Sequence, residues 1–282
     1  MKVRSFFRSI LTHTRLTFTT KDNLGKSATQ AETEVLISLT SIPSRLDTLH
    51  LTIKSLLDQN TTFKKIILWL HQDLKTSLPS KLTELEGERF EIGYSETTEP
   101  HRKLIETLKQ HPDLPIVTCD DDMMYPRDWL SRLLDSWHKT PGDIVAHRCR
   151  KIRYRDGEMM PYRTWHSEAN GGSSSLTVAL GWGGVLYPPG SLDERVYDRE
   201  AYMRLCPRAD DLWYKAMSTL RGTATRKSRE PYPAPIPILS SQSISLGTQN
   251  IGEDQNRVQL QALIDEYQFD FEAETNESRP AP

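Results

Sequence analysis

The amino-acid sequence predicts an α/β protein: a mostly parallel central sheet flanked by helices, with a mixed second half. Three observations carry this. From residue 34 to about 140, short apolar runs alternate with segments of helical period. An acidic triplet, Asp120-Asp121-Asp122, directly follows one of those runs, where open α/β sheets bind ligands. After 140 the alternation gives way to short strand-like runs divided by Gly, Ser and Pro.

Val35-Leu-Ile-Ser-Leu39 reads as a buried strand. Ser44-Arg-Leu-Asp47 has the form of a variant capping box, opening a helix with Leu46, Leu49, Ile53, Leu56 and Leu57 on one face. Ile66–Leu70 is the next strand, 80–87 a helix, and Phe90–Tyr94 another strand. Leu104, Ile105 and Leu108 mark a helix, Leu114–Cys119 a buried strand, and Trp129, Leu130, Leu133, Leu134 and Trp137 an apolar helical face. Such repetition implies parallel βαβ units and a sheet covered on both sides. Ile144–His147 and Cys149–Tyr154 read as antiparallel strands, and 156–175 as loop. Asp210–Leu220 reads as a helix with Leu212, Trp213, Ala216, Met217 and Leu220 inward. Pro231, Pro233, Pro235 and Pro237 impose an extended segment, and Asp254–Tyr267 is the last helix. The division is a basic segment over 1–33, one domain over 34–268 with halves 34–140 and 141–268, and an acidic, disordered tail over 269–282.

Composition excludes several classes. The 282 residues hold 36 Lys and Arg against 38 Asp and Glu, a net charge of −2, with 26% charged and 37% hydrophobic residues. This is not a collagenous, low-complexity or disulfide-miniprotein composition. A chain of this length buries roughly 75% of its unfolded surface. Near-neutrality argues against a dedicated nucleic-acid binder. Cys119, Cys149 and Cys206 form no CxxC pair, which fits packing thiols in a reducing, cytoplasmic compartment. No run of about 18 apolar residues is present, and Arg8, His13 and Arg15 break up any signal-peptide core. The charge is graded. Residues 1–26 carry six Lys or Arg and one Asp, and residues 265–282 six Asp or Glu and one Arg. Both ends read as solvated tails. Alternatively, 1–26 is a basic amphipathic segment whose Phe6, Phe7, Ile10 and Leu11 contact the inner face of an anionic membrane.

Four features carry candidate chemistry. Three adjacent carboxylates in a dry site need a compensating cation, and acids at i and i+2 can meet one hard divalent ion; the plainer reading is an acidic turn capping the next helix. Ala209-Asp-Asp-Leu-Trp213 offers either a general base or ordinary stabilisation of a helix start. Gly181-Trp-Gly-Gly184 allows close backbone approach and offers a stacking ring, or is a tight turn with a core Trp; GxGxxG and Walker patterns are absent. Arg45, His101, Arg102 and Lys103 singly read as surface charges, and as a group could neutralise phosphate oxygens opposite the triplet.

Taken together, Thr40-Ser-Ile-Pro-Ser-Arg45, the Asp triplet after its strand, the glycine turn and Asp210-Asp211 resemble the GT-A glycosyltransferases, in particular bacterial family-2-like enzymes of surface-polysaccharide synthesis. The similarity runs over roughly 34–225. It implies a GT-A type, Rossmann-like sheet with 34–140 as the nucleotide-sugar half and 141–268 as the acceptor half. It implies a nucleotide-diphosphate sugar donor, a UDP-sugar favoured, contacting Thr40, Ile42, Arg45, Lys103, Asp120 and Asp121. Asp122, with Asp120, would ligate Mn²⁺ or Mg²⁺ against the diphosphate. Trp182, Gly183 and Gly184 would lie beside the transferred sugar or the acceptor, a glycan or lipid-linked saccharide. Asp211, or Asp210, matches the base of inverting members. One departure is that no His follows His166, so a third metal ligand would come from Ser, Asn or Asp within 240–256. A sugar nucleotidyltransferase is the other enzyme reading, disfavoured because Thr40-Ser-Ile-Pro43 holds no glycine for a triphosphate loop. A non-catalytic nucleotide-sugar or glycan-binding protein is the third, and the intact acid clusters argue against it.

Overall fold

The structure, a computed structural model, describes residues 3–26, 28, 33–238 and 254–271, with side chains of the first helix from residue 9 onward. The central sheet has seven strands: β1 (Leu36–Thr40), β2 (Lys65–His71), β3 (Phe90–Ser95), β4 (Ile116–Thr118), β5 (Ile144–Ala146), β6 (Val185–Tyr187) and β7 (Thr225–Lys227). The helices among the described residues are α1 (Val3–Phe18), α2 (Leu46–Leu57), α3 (Ser80–Thr83), α4 (Arg102–Gln110), α5 (Trp129–Trp137), α6 (Arg199–Leu205), α7 (Asp210–Arg221) and α8 (Gln255–Tyr267). Strand order is β7-β5-β6-β4-β1-β2-β3. β6 runs antiparallel to both its neighbours, and every other pairing is parallel. This is an α/β fold with a Rossmann-like, mostly parallel sheet flanked by helices.

The apolar runs become central strands because both faces of the sheet are covered. Successive side chains of a strand point to opposite faces. Ile37, Leu39, Ile66, Leu68 and Leu70 therefore join one core with Leu49, Ile53 and Leu56 of α2 and Leu130 and Leu133 of α5. Leu36, Ile67 and Trp69 join the other core with Leu104, Ile105 and Leu108 of α4 and Leu212, Trp213 and Ala216 of α7. Parallel pairing sets Leu36 opposite both Lys65 and Ile116, so the carboxyl ends of β1 and β4 lie side by side. Antiparallel pairing of Val185 with Thr118 brings the turn that precedes β6 to that same edge.

Several expectations change. The capping box does not form: Pro43–Arg45 is a 3₁₀ turn, and Arg45 becomes the N-cap residue of α2 with no side-chain cap. The helix expected over 80–87 is the single turn α3. Ile144–His147 and Cys149–Tyr154 do not pair with each other. β5 joins the central sheet, whereas Cys149–Lys151 is the middle of a separate antiparallel sheet between His166–Ser167 and Thr177–Ala179. Segment 156–175 is therefore not all loop, and it contributes buried Tyr162 and Trp165. Leu220 is only partly buried. The proline segment is extended, and Ile236–Pro237 pairs with Met123–Met124.

The basic N-terminal stretch forms α1. Leu16 packs with Leu51, Met124 and Ile238, and Arg15 pairs with Asp58 at 2.5 Å. Lys54 donates to the carbonyls of Leu16, Thr17 and Thr19 at 2.9, 3.2 and 2.8 Å, a cation satisfying helix C-terminal acceptors. Ile10 and Leu11 are exposed; the side chains of Phe6 and Phe7 lie outside the described residues. No described helix is long and apolar enough to cross a membrane. All three cysteines are buried free thiols. At the other end, Phe271 is buried in the core; residues 272–282 of the expected tail lie outside the described residues.

Gly184 links β6 to α5. Its φ is +100°, and a Cβ there would lie 2.5 Å from Trp129 Nε1 and 2.6–2.7 Å from two indole carbons. Gly184→Ala should therefore lower unfolding free energy by about 3 kcal/mol through strain and overpacking, read as a lower denaturant midpoint at unchanged slope.

Candidate functional site

Two acidic clusters meet at the carboxyl edge of the sheet, joined by one lysine. Lys103 is buried, and its Nζ lies 3.1 Å from Asp120 Oδ1 and 2.9 Å from Asp210 Oδ2. It stands in the first turn of α4, where a cation opposes the helix dipole. These acids outweigh both that effect and burial, and its pKa is raised. The lysine's main chain is fixed as well: Ser38 Oγ of β1 donates to the Lys103 carbonyl.

The triplet divides its tasks. Asp121 is buried and accepts from Ser41 Oγ and Arg45 Nη1, both at 2.5 Å. Arg45 Nη2 lies 3.2 Å from Asp122 Oδ2. The Asp120 side chain is 34% exposed, the most open of the three. None of them caps α5, whose N-cap residue is Asp128. The backbone is pinned by Thr52 Oγ1 donating to the Asp121 carbonyl at 2.8 Å and by the Asp120 N–H donating to Tyr125 Oη at 2.9 Å.

The second pair stands in the first turn of α7, where acids complement the helix dipole, but neither acid is its cap. The N-cap of α7 is Ala209, with no side-chain cap bond. Asp210 faces Lys103, while both oxygens of Asp211 accept from the Gly181 N–H at 3.1 Å. Gly181, which sequence reasoning treated only as the start of a turn, is the contact point. A Cβ on it would lie 3.0 Å from Lys103 Nζ, 3.1 Å from Asp211 Oδ1 and 3.5 Å from Asp120 Oδ1. The signal was present, since it is the first glycine of Gly-Trp-Gly-Gly, but the pattern does not say which glycine meets charge.

Other candidates are placed differently. Thr40 Oγ1 accepts from Arg102 Nε at 2.5 Å and donates to the Trp69 carbonyl at 2.8 Å. Arg102 is buried and also donates to the carbonyls of Thr97 and Ser41. It is therefore an internal brace, not a surface charge opposite the triplet. His101 is buried, stacked on Tyr202 with ring centres 4.2 Å apart, and desolvation lowers its pKa to about 4, so it is a neutral packing group. Of the four basic residues grouped in sequence, Lys103 and Arg45 face the acids. Ile42 is partly exposed at the edge. Trp182 is half-buried, and its carbonyl lies 3.3 Å from Tyr125 Oη. Gly183 and Gly184 are buried against Arg148 and Trp129. Within 240–256, residues 240–253 lie outside the described residues, and Asp254 is occupied by the Tyr162 N–H and Arg257.

Five carboxylates thus face two cations, Lys103 and Arg45. Burial, then the neighbouring acids Asp120 and Asp121, push Asp122 up to about 7 against the pull of Arg45. Burial and Asp210 push Asp211 up to about 7, while Lys103 holds Asp210 below the ordinary range. This shortage of positive charge, together with oxygen donors, fits a hard divalent cation at Asp120 and Asp122. No group of three or more His, Cys, Asp or Glu among the described residues is arranged to hold a metal ion, so an ion there would need oxygens from a ligand.

No family model matches the chain, and no curated protein matches it in sequence. Among solved structures it is similar to a crystal structure of S. aureus TarS 1-349, at 15% identity and a TM-score of 0.49, over 72% of this chain and 59% of that one. It is also similar to a crystal structure of 4-diphosphocytidyl-2C-methyl-D-erythritol synthase, at 8% identity and a TM-score of 0.39, over 60% of this chain and 79% of that one. The chain thus spans 59% of the TarS chain.

Two outcomes follow from the charge balance. An acid whose folded pKa is raised holds its proton longer folded than unfolded, so stability is lost as pH rises from the ordinary carboxylate range to the raised value. In divalent-free buffer, Asp122→Asn should match wild type below the ordinary carboxylate range, exceed it increasingly from about pH 4 to about pH 7, and keep a constant advantage above that, as thermal unfolding will read; a difference that does not change with pH would contradict the raised pKa. Gly181→Ala, with its Cβ against Lys103 and Asp211, should move the melting temperature of Asp211→Ala, which removes the opposing oxygens, less than that of wild type. Equal shifts in the two backgrounds would show that the contact is absent.

Proposed function

We propose that the chain is a glycosyltransferase that moves a sugar from a nucleotide-diphosphate sugar, a UDP-sugar favoured, to a hydroxyl of a glycan or lipid-linked saccharide. One observation carries the reading: the strand-end triplet and the α7 acids converge through Lys103 on a glycine turn, so a metal-type acid pair and a base-type acid share one edge of the sheet.

Asp120 and Asp122 would hold Mn²⁺ or Mg²⁺, which when bound supplies positive charge against the departing diphosphate. Arg45 restrains Asp122 and Asp121, so the metal-facing carboxylate arrives oriented. Asp211 acts as general base. Its raised pKa, near 7, suits proton abstraction from an acceptor hydroxyl at neutral pH. The Gly181 N–H orients its carboxylate, and Lys103 balances the neighbouring Asp210 so that Asp211 is the acid that titrates. Ile42 and Trp182 offer apolar surface for the donor base and a sugar face. Transfer then inverts the anomeric centre.

A panel of UDP- and GDP-sugars with manganese tests this. Transfer or donor hydrolysis is expected in wild type. Asp211→Asn should lower turnover about 100-fold or more with donor affinity kept, and Asp122→Asn should abolish the metal dependence of donor binding. Pyrophosphate release from a nucleoside triphosphate, with no sugar transfer, would instead make the chain a nucleotidyltransferase.

A further inference from the structure

A polar cavity adjoins the glycine turn. It has a volume of about 120 Å³ and is lined by His147, Arg148, Asn170, Lys227, Glu230 and Tyr232, among others. At about 30 Å³ per water, this is room for roughly four waters or one phosphate-sized group.

Arg148 dominates it. Its guanidinium carbon lies 5.3 Å from the Trp182 ring centre and 5.8 Å from that of Tyr232. Its Nε is buried with no hydrogen-bond partner, and no ion pair engages the guanidinium among the described residues. A guanidinium stacked on aromatic faces keeps its N–H edge for a planar oxyanion, whereas a buried, unsatisfied donor is otherwise costly. The aromatic wall is rigid. Tyr232 stacks on His147 with ring centres 3.8 Å apart and lies 3.3 Å from the Gly183 carbonyl. His147 is buried neutral, its pKa lowered to about 4. Its Nε2 donates to the Trp129 carbonyl at 2.9 Å, which leaves Nδ1 to accept from Ser228 Oγ at 3.1 Å. Lys227 Nζ donates to the Glu168 carbonyl at 2.6 Å and Ser167 Oγ at 3.1 Å, which leaves one of its three hydrogens free for a ligand. Two cations therefore face one acid, Glu230. The nearby Glu168 carboxylate is taken up by the Ala169 N–H and Thr177 Oγ1.

We infer that this cavity is an anion subsite that holds a phosphate or carboxylate group borne by the acceptor saccharide. The word acceptor rests on the transferase reading; the anion site itself does not. The turn supplies the connection. Gly181 touches Asp211 and Trp182 lies under Arg148, so a saccharide anchored on Arg148 crosses the Trp182 ring toward the base.

Calorimetric titration of the full chain with glucose 6-phosphate, glucuronate, glucose and inorganic phosphate, with and without saturating UDP, tests it. The two acidic sugars should bind, more weakly as salt rises, and glucose should not. Arg148→Gln should weaken both by about tenfold or more, Arg148→Lys by less, and Lys227→Gln should weaken them independently, with UDP affinity unchanged throughout. If Arg148→Gln does not fold, the other two variants carry the comparison. Equal binding of glucose and glucose 6-phosphate, or variants that fold and bind as wild type, would overturn the subsite. Inorganic phosphate binding as tightly as glucose 6-phosphate would overturn its assignment to a saccharide. Arg148-dependent binding of acidic sugars without any binding of UDP or GDP in the presence of manganese would support the subsite and remove the transferase reading instead.

Discussion

The edge of this sheet depends on one buried ammonium group. Lys103 is the bond between the end of β4, through Asp120, and the start of α7, through Asp210. These elements are 90 residues apart in the chain and would otherwise present like charges to each other. Breaking a buried pair by removing one partner costs about 3–5 kcal/mol, because it leaves the other charge uncompensated. Here one cation serves two carboxylates, so its loss would strand both. The same contact separates the roles within Asp210-Asp211. The carboxylate nearer the lysine is held ionised, and its neighbour is left to titrate.

The rest of the edge is arranged to keep that lysine and the acids in place. The main chain of β1 and its continuation supplies Ser38 to the Lys103 carbonyl and Ser41 to Asp121. From α2, Thr52 binds the Asp121 carbonyl and Ser55 accepts the Tyr125 N–H at 2.9 Å. Arg102 ties Thr40 and Ser41 to α4. Ser38, Ser41, Thr52 and Ser55 are small polar groups among apolar neighbours, and each is satisfied by a backbone or charged partner. Buried polar networks rigidify when complete. A site of like charges needs such fixing, because mutual repulsion would otherwise move the carboxylates apart.

Much of this was legible in the chain. β1 to β4, α2, α5 and α7 follow from period and length, because long apolar runs and repeated i, i+3, i+4 faces have few other readings. The acid clusters were legible as concentrations of like charge that need compensation, and the structure supplies it through Lys103 and Arg45. The second half was not. Strands of three residues, such as β5 and Cys149–Lys151, carry no readable period, and two adjacent ones look like a hairpin even when they belong to different sheets. The capping box failed because Pro43 sets a 3₁₀ turn, moving the helix start to Arg45. His101, Arg102 and Lys103 are adjacent in sequence, yet about 100° apart on a helix. One therefore packs on Tyr202, one braces β1 and one meets the acids, a division that no count of charges reveals.

The glycine turn shows why the two halves must be read together. Three glycines in four residues look like simple tolerance for a tight bend. Each is required by a different neighbour: Gly181 by Lys103 and Asp211, Gly183 by the Arg148 side chain at 2.6 Å from a hypothetical Cβ, and Gly184 by the Trp129 indole. The turn therefore packs on three groups with separate tasks. Moving it toward the acids would pull it from Trp129 and from Arg148 together. Antiparallel β6 makes this possible, since it alone enters the sheet at the edge where its parallel neighbours leave. The reversed strand delivers a backbone N–H to Asp211 from a direction that a parallel strand's carboxyl end, presenting carbonyls and side chains, would not supply.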